Sequence, residues 1–67
     1  MDAKITLRKA RENAGLDRDA AAQQLGISVA DLVWYEIGSA KPYHSLLGNM
    51  ARLYGVDVSN FDLIGGS

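Results

Sequence analysis

Apolar residues recur three or four positions apart over most of the chain, which is the spacing of one face of an α-helix. Leu7 and Ala10 lie on one face of a first helix that we predict over residues 4–14. Asp17 is a good N-cap residue for a second, alanine-rich helix, which we expect to end at Gly26. Strict alternation of apolar and polar residues, which would indicate a strand, is not found.

Two further helices are predicted in the second half of the chain. Ser28 is followed three residues later by Asp31, a capping-box pattern with Asp in place of Glu, and the helix it begins is expected to end at Gly38. A fourth helix is predicted over residues 43–54. Gly48 inside it costs about 1 kcal/mol relative to alanine, which indicates either close packing against a neighbour or a locally weak helix.

The last apolar residues predict a short fifth segment, made of Val58, Phe61, Leu63 and Ile64. Residues 65–67, Gly-Gly-Ser, are expected to form a flexible tail. A chain of 67 residues supports one small core and cannot divide it between two domains. We therefore predict one all-α domain over residues 1–64, a compact bundle of four to five helices.

Composition and charge narrow the possible partners. Apolar residues make up 48% of the chain and charged residues 22%, so the chain should fold unaided. The net charge of -1 argues against a protein that relies on nonspecific attraction to phosphate alone. Five of the seven basic residues nevertheless lie in the first 18 positions, so one end of the molecule is expected to be mildly basic.

Several chemistries have no support in the sequence. The chain has no cysteine, and its single histidine, His44, cannot form a zinc site alone, so we expect neither metal nor cofactor. No paired acids, no nucleophile with a base and no phosphate-binding glycine loop appear, so we do not expect an enzyme. Because no run of residues has the length of a signal peptide or membrane span, we expect a cytosolic location without membrane contact.

The segment centred on residues 23–38 has the order of a helix-turn-helix. Two short helices joined by a tight turn at Gly26 cross at a steep angle, so the second can lie in the major groove of DNA. At Gly26 we expect a side chain with a Cβ atom to clash. A glycine between two helices is a weak signal by itself, because plain helical hairpins share it.

Most of the chain resembles the phage repressor and Cro type of helix-turn-helix domain (the lambda repressor-like fold). The similar segments are LRKARENAGL, DRDAAAQQLGIS, VADLVWYEIG and KPYHSLLGNMARLYGVDVSNF. The specific marks are Arg11, Gly15, Leu16, Ala22, Gly26, Glu36, Gly38, Pro42, Ala51, Gly55 and Val56.

This resemblance implies roles for several polar residues. Arg11 and Glu36 correspond to a partly buried ion pair between the first helix and the recognition helix. Positions that contact phosphate in the family correspond to Arg18, at the start of the second helix, and to Lys41 and Tyr43 in the loop after the third. We expect Arg8 to add to that surface.

The third helix departs from the family at the positions that read bases. Ser28, Val29, Ala30, Val33 and Trp34 are the residues expected to contact bases or a partner. At the last four of these positions the family usually has hydrogen-bonding side chains. Together with Ile37 they predict an exposed apolar stripe. Contacts with thymine methyl groups, groove shape, or the nearby Gln23 are then the remaining routes to sequence recognition. The alternative is that the helical phase differs slightly and that Val33 or Ile37 belongs to the core.

Two functions follow from the resemblance and from this departure. The first is a DNA-binding transcriptional regulator of repressor type, of the kind found in phages and mobile elements, acting on double-stranded DNA as a dimer. The second is a helix-turn-helix module adapted to bind a protein through the Trp34 face, as an antirepressor or assembly domain. Homodimerisation is expected through apolar residues of the fourth helix and fifth segment, namely Leu46, Leu53, Val58, Phe61 and Ile64.

Overall fold

The computed structural model describes residues 4–63, which form four α-helices and one small pair of strands. In chain order the elements are strand β1 (Ile5–Thr6), helix α1 (Leu7–Asn13), helix α2 (Arg18–Leu25), helix α3 (Val29–Glu36), helix α4 (His44–Tyr54), a 3₁₀ turn (Val58–Asn60) and strand β2 (Phe61–Asp62). The described part of the chain is therefore mostly helical, with four helices as the sequence predicts.

The helices begin and end at residues whose local chemistry favours a boundary. Asp17 accepts a hydrogen bond from the backbone N–H of Ala20 at 2.8 Å, and Ser28 accepts one from Asp31 at 3.0 Å. Each bond satisfies one of the N–H groups that a helix leaves without an internal partner. Both caps are the ones that the sequence predicts.

The first residues of the predicted first helix form a strand instead. Ile5 and Thr6 pair in parallel with Phe61 and Asp62, and Thr6 also caps α1 by accepting a hydrogen bond from Lys9 N at 3.1 Å. The prediction of a helix from residue 4 is thus wrong, because pairing with a segment 56 positions away along the chain satisfies this backbone. Sequence periodicity does not report such a contact.

The predicted fifth segment is not an α-helix in the described residues. Val58 lies in the 3₁₀ turn, where Asp57 caps the backbone of Ser59, Phe61 lies in strand β2, and Leu63 follows that strand. Phe61 is buried in the core and its backbone pairs with that of Ile5, so this residue links β2 both to the core and to β1. Ile64 and the predicted tail over residues 65–67 lie outside the described residues.

One apolar core holds the helices together. Its largest fully buried side chains are Leu32, Leu46 and Met50, from α3 and α4. Tyr54 also lies in the core, and its hydroxyl is buried with no hydrogen-bond partner among residues 4–63. Burial raises the pKa of Tyr54 to about 12, and the nearby Glu36 carboxylate adds to this effect.

Gly48 lies within α4 without making a close contact. A Cβ atom built there would have no other atom within 4 Å, apart from its own helix and neighbours. Of the two explanations that the sequence leaves open, close packing is therefore wrong. The glycine makes α4 weaker than alanine would, without a packing reason for its presence.

Candidate nucleic-acid interface

A sharp turn at Gly26 sets α2 and α3 across each other. Gly26 has φ of 73° and ends α2 in the left-handed conformation, and Ile27 N donates to Ala22 O at 3.0 Å just beyond it. A Cβ at Gly26 would meet no atom within 4 Å, so the clash expected from the sequence is wrong. Glycine is favoured here because side chains with a Cβ rarely adopt a positive φ.

The solvent-facing side of α3 is apolar. Trp34 is 53% exposed, Ile37 51% and Val29 38%. Ala30 is also exposed, while Val33 is half-buried and does not pack against the core. The stripe predicted from the sequence is thus present on the surface. The alternative in which Val33 or Ile37 joins the core is not what the structure has.

The opposite side of α3 carries a buried charged residue. Arg11 Nε donates to Glu36 Oε2 at 2.7 Å, and Arg11 Nη2 lies 3.3 Å from Oε1 of the same carboxylate. Arg11 Nη1 also donates to the carbonyl of Leu16 at 2.9 Å, so one guanidinium joins α1, the following loop and α3. The hydrogen bond to Glu36 is the main reason that the pKa of Arg11 is raised.

Arg18, which the resemblance assigns to phosphate contact, has a second role in the structure. Its Nε donates to Glu36 Oε1 at 3.2 Å, so Glu36 is shared by two arginines. The Arg18 side chain is 44% exposed, whereas that of Arg11 is 7% exposed. Two guanidinium groups around one carboxylate leave a net positive charge, and Arg18 is the member of the cluster that solvent can reach.

A cationic cleft lies beside this cluster. It has a volume of about 520 Å³, and its charged lining residues are Lys4, Arg8, Lys9, Arg18 and Glu36. Ile37, at the end of α3, lines the same cleft and is also part of the apolar stripe. Lys4 precedes β1, Arg8 and Lys9 lie in α1 and Arg18 lies in α2, so the fold concentrates charge that the net value of -1 conceals. The cleft as a whole was not predicted, because it depends on β1 pairing next to α1.

The remaining residues assigned to phosphate contact lie at the surface. Arg8 lines the cleft and also forms an exposed ion pair with Glu12 at 3.5 Å. Lys41 and Tyr43 are exposed in the loop that precedes α4, and neither lines the cleft. They add one cation and one hydroxyl group to the surface, and both follow α3 in the sequence, whereas the basic residues of the cleft precede it.

The apolar surface predicted for dimerisation is mostly absent. Leu46 and Phe61 are buried in the chain's own core, so their assignment to an exposed interface is corrected. Leu53 is half-buried against that core, and Val58 is 48% exposed. Ile64 lies outside the described residues. The core of one copy needs these side chains because so small a domain has few others to bury.

Other kinds of site find no residues in the part of the chain that the structure describes. Within residues 4–63 there is no group of three or more histidine or acidic side chains that could hold a metal ion. In the same range, none of the helices is both long and apolar enough to cross a membrane.

Comparison with known families agrees with this geometry. The profile of the helix-turn-helix domain matches residues 5–63, which include all four helices and both strands. Comparisons with curated proteins and with solved structures gave no significant match. The matched range covers most of the chain. The chain therefore belongs to the helix-turn-helix domain family, whose members are in general DNA-binding regulators.

Proposed function

We propose that this chain is a transcriptional regulator of repressor type that binds double-stranded DNA with α3 in the major groove. The observation that supports this most is the cationic cleft at the end of an exposed α3. A helix can enter the major groove only if its outer face is free, and phosphates on the groove's edge need positive charge beside that helix. Both conditions are met on one side of this molecule.

Arg18 is the central phosphate contact in this proposal. Its guanidinium is half-exposed and already oriented by Glu36, so it loses little side-chain freedom when a phosphate approaches. Arg8 extends the phosphate contact along the cleft. Lys41 and Tyr43, in the loop before α4, contact the phosphate backbone of the DNA. Acidic side chains at Asp19 and Asp31 reduce the positive potential nearby, which favours modest affinity over tight binding.

The experiment is a fluorescence-anisotropy titration of labelled random duplex DNA at several salt concentrations. Arg8, Arg18 and Lys41 are three cations, so the logarithm of affinity should fall with the logarithm of salt with a slope of about -3 per bound copy. Lys41→Ala should reduce that slope by about 1. Arg52→Ala is the matched control, because Arg52 is an exposed cation in the last turn of α4, outside both the cleft and the loop that holds Lys41.

A lack of binding at low salt would refute this function and favour the second candidate. That candidate is a helix-turn-helix module that binds another protein through α3, as an antirepressor or assembly domain. The observation behind it is the exposure of Trp34, since exposed tryptophans in apolar patches are typical of protein interfaces. It predicts that Trp34→Ala leaves the fold intact and removes binding to the protein partner.

A further inference from the structure

The exposed side of α3 has almost no group that can form a hydrogen bond with a base. Ser28, the N-cap, and Asp31 are the exposed polar residues of α3 and its cap, and Ser28 Oγ already accepts a hydrogen bond from Asp31 N at 3.0 Å. The Asp31 carboxylate can only accept hydrogen bonds, and the rest of this face is made of Val29, Ala30, Val33, Trp34 and Ile37, among which the indole N–H of Trp34 is the single side-chain donor. Base reading by arginine, glutamine or asparagine is excluded on α3 itself.

The major-groove edges of the four bases differ in what they can offer to such a surface. All four bases present hydrogen-bond donors or acceptors, thymine through O4, and most of these groups would be left without partners against the apolar side chains. Thymine also presents an apolar group, the methyl on C5. Cytosine methylated at C5 carries the same group in the same place. The shared chemistry is therefore a C5-methyl pyrimidine.

The charges around the stripe fit a duplex better than an apolar protein surface. Ile37 belongs to the stripe and also lines the cleft that holds Lys4, Arg8, Lys9 and Arg18. A ligand that covers both regions must place apolar groups directly beside several negative charges. A major groove with methyl groups on its floor and phosphates along its edge has that arrangement.

We infer that the apolar face of α3 recognises the C5-methyl groups of pyrimidines in the major groove. This inference rests on the proposed DNA-binding function and specifies what that function reads. Burial of one methyl group increases affinity roughly fourfold, so one or two methyl contacts should give about a four- to fifteenfold preference. The preference does not depend on salt in the way that phosphate contacts do, because it involves no charge.

The test compares four short duplexes by anisotropy at one salt concentration. The first pair is an alternating A–T duplex and the same duplex with uracil in place of thymine, which removes only the methyl group. The second pair is an alternating G–C duplex with unmodified cytosine and with 5-methylcytosine. We expect the methylated member of each pair to bind about four- to fifteenfold more tightly. A preference in only one pair would identify the pyrimidine that serves as the source of the methyl group.

Two variants assign the preference to α3. Val29→Ser should reduce the ratio between the thymine and uracil duplexes, and Trp34→Ala should do the same; both side chains are exposed, so the fold should be kept. Val58→Ser is the matched control, since Val58 is an exposed valine outside α3. The ratio of its affinities for the thymine and uracil duplexes should equal that of the unmodified chain.

The outcomes separate this inference from the function on which it rests. Equal, salt-sensitive binding of all four duplexes would overturn methyl recognition and leave DNA binding standing. A ratio that persists in Val29→Ser and Trp34→Ala would overturn the assignment to α3. If no duplex binds at low salt, both the inference and the proposed function are refuted, and binding of a protein to α3 becomes the explanation of the stripe.

Discussion

Replacing Arg11 by alanine should test the buried ion pair most directly. Both side chains of the pair are nearly inaccessible, with 7% exposure for Arg11 and 1% for Glu36, and two of their atoms lie 2.7 Å apart. Removing one partner of a buried pair costs about 3 to 5 kcal/mol, because the other charge stays in the protein without compensation. We expect the lower end of that range, because Arg18 keeps one hydrogen bond to Glu36.

This loss is large compared with the stability of so small a domain. At about 0.05 to 0.15 kcal/mol per residue, a chain of 67 residues has roughly 3 to 10 kcal/mol in total. Arg11→Ala should therefore lower the urea midpoint strongly or unfold the domain at 25 °C, the temperature to which these values refer. Far-UV circular dichroism is the appropriate measurement, because the half-exposed Trp34 reports poorly on the core.

Two comparisons make the experiment decisive. Arg18→Ala removes the more exposed arginine from the same carboxylate and should cost at most about 1 kcal/mol. The double variant Arg11→Met with Glu36→Leu replaces both charges by apolar groups and should be more stable than Arg11→Ala. If Arg11→Ala lost no more stability than Arg18→Ala, or if the double variant were the least stable, the account of a costly buried charge would be refuted.

Four further predictions concern single residues. Gly48→Ala should raise the free energy of unfolding by about 1 kcal/mol, since the added Cβ has open space in α4. Gly26→Ala should lower it by about 1 to 2 kcal/mol, because φ at this position is 73°. Urea titrations of both variants measure this contrast. Ser28→Ala should cost about 1 kcal/mol through loss of the α3 cap, and Ser28→Asp should restore it. Tyr54→Phe should match or exceed the stability of the unmodified chain at neutral pH, because it removes a buried hydroxyl that has no hydrogen-bond partner within the described part of the chain. The pKa of Tyr54 is raised from 10.0 to about 12 in the folded protein, so Tyr54 loses its proton at lower pH in the unfolded chain than in the folded one. The free energy of unfolding should therefore fall as the pH rises between these values, and it should fall less steeply in Tyr54→Phe. Equal pH dependence in the two proteins would contradict the burial of this hydroxyl.

Much of the local structure is predictable because short-range chemistry decides it. The caps at Asp17 and Ser28 and the end of α2 at Gly26 require only a few neighbouring residues, and each occurs where the sequence predicts it. The apolar stripe on α3 is predictable for the same reason, since helical periodicity fixes which side chains share a face. Contacts between distant segments are different. Ile5 pairs with Phe61, and no local pattern indicates that pairing.

The sequence alone determined the helix order, the turn and the apolar character of the outer face of α3, because these depend on propensity, capping and periodicity within a few residues. Only the tertiary structure decided that Arg18 shares Glu36 with Arg11 and that the Tyr54 hydroxyl is buried. It also decided that the basic residues near the start of the chain surround one cleft, at the end of α3. The physical reason is that charge and burial depend on distance in space, which packing and strand pairing set after the local elements have formed.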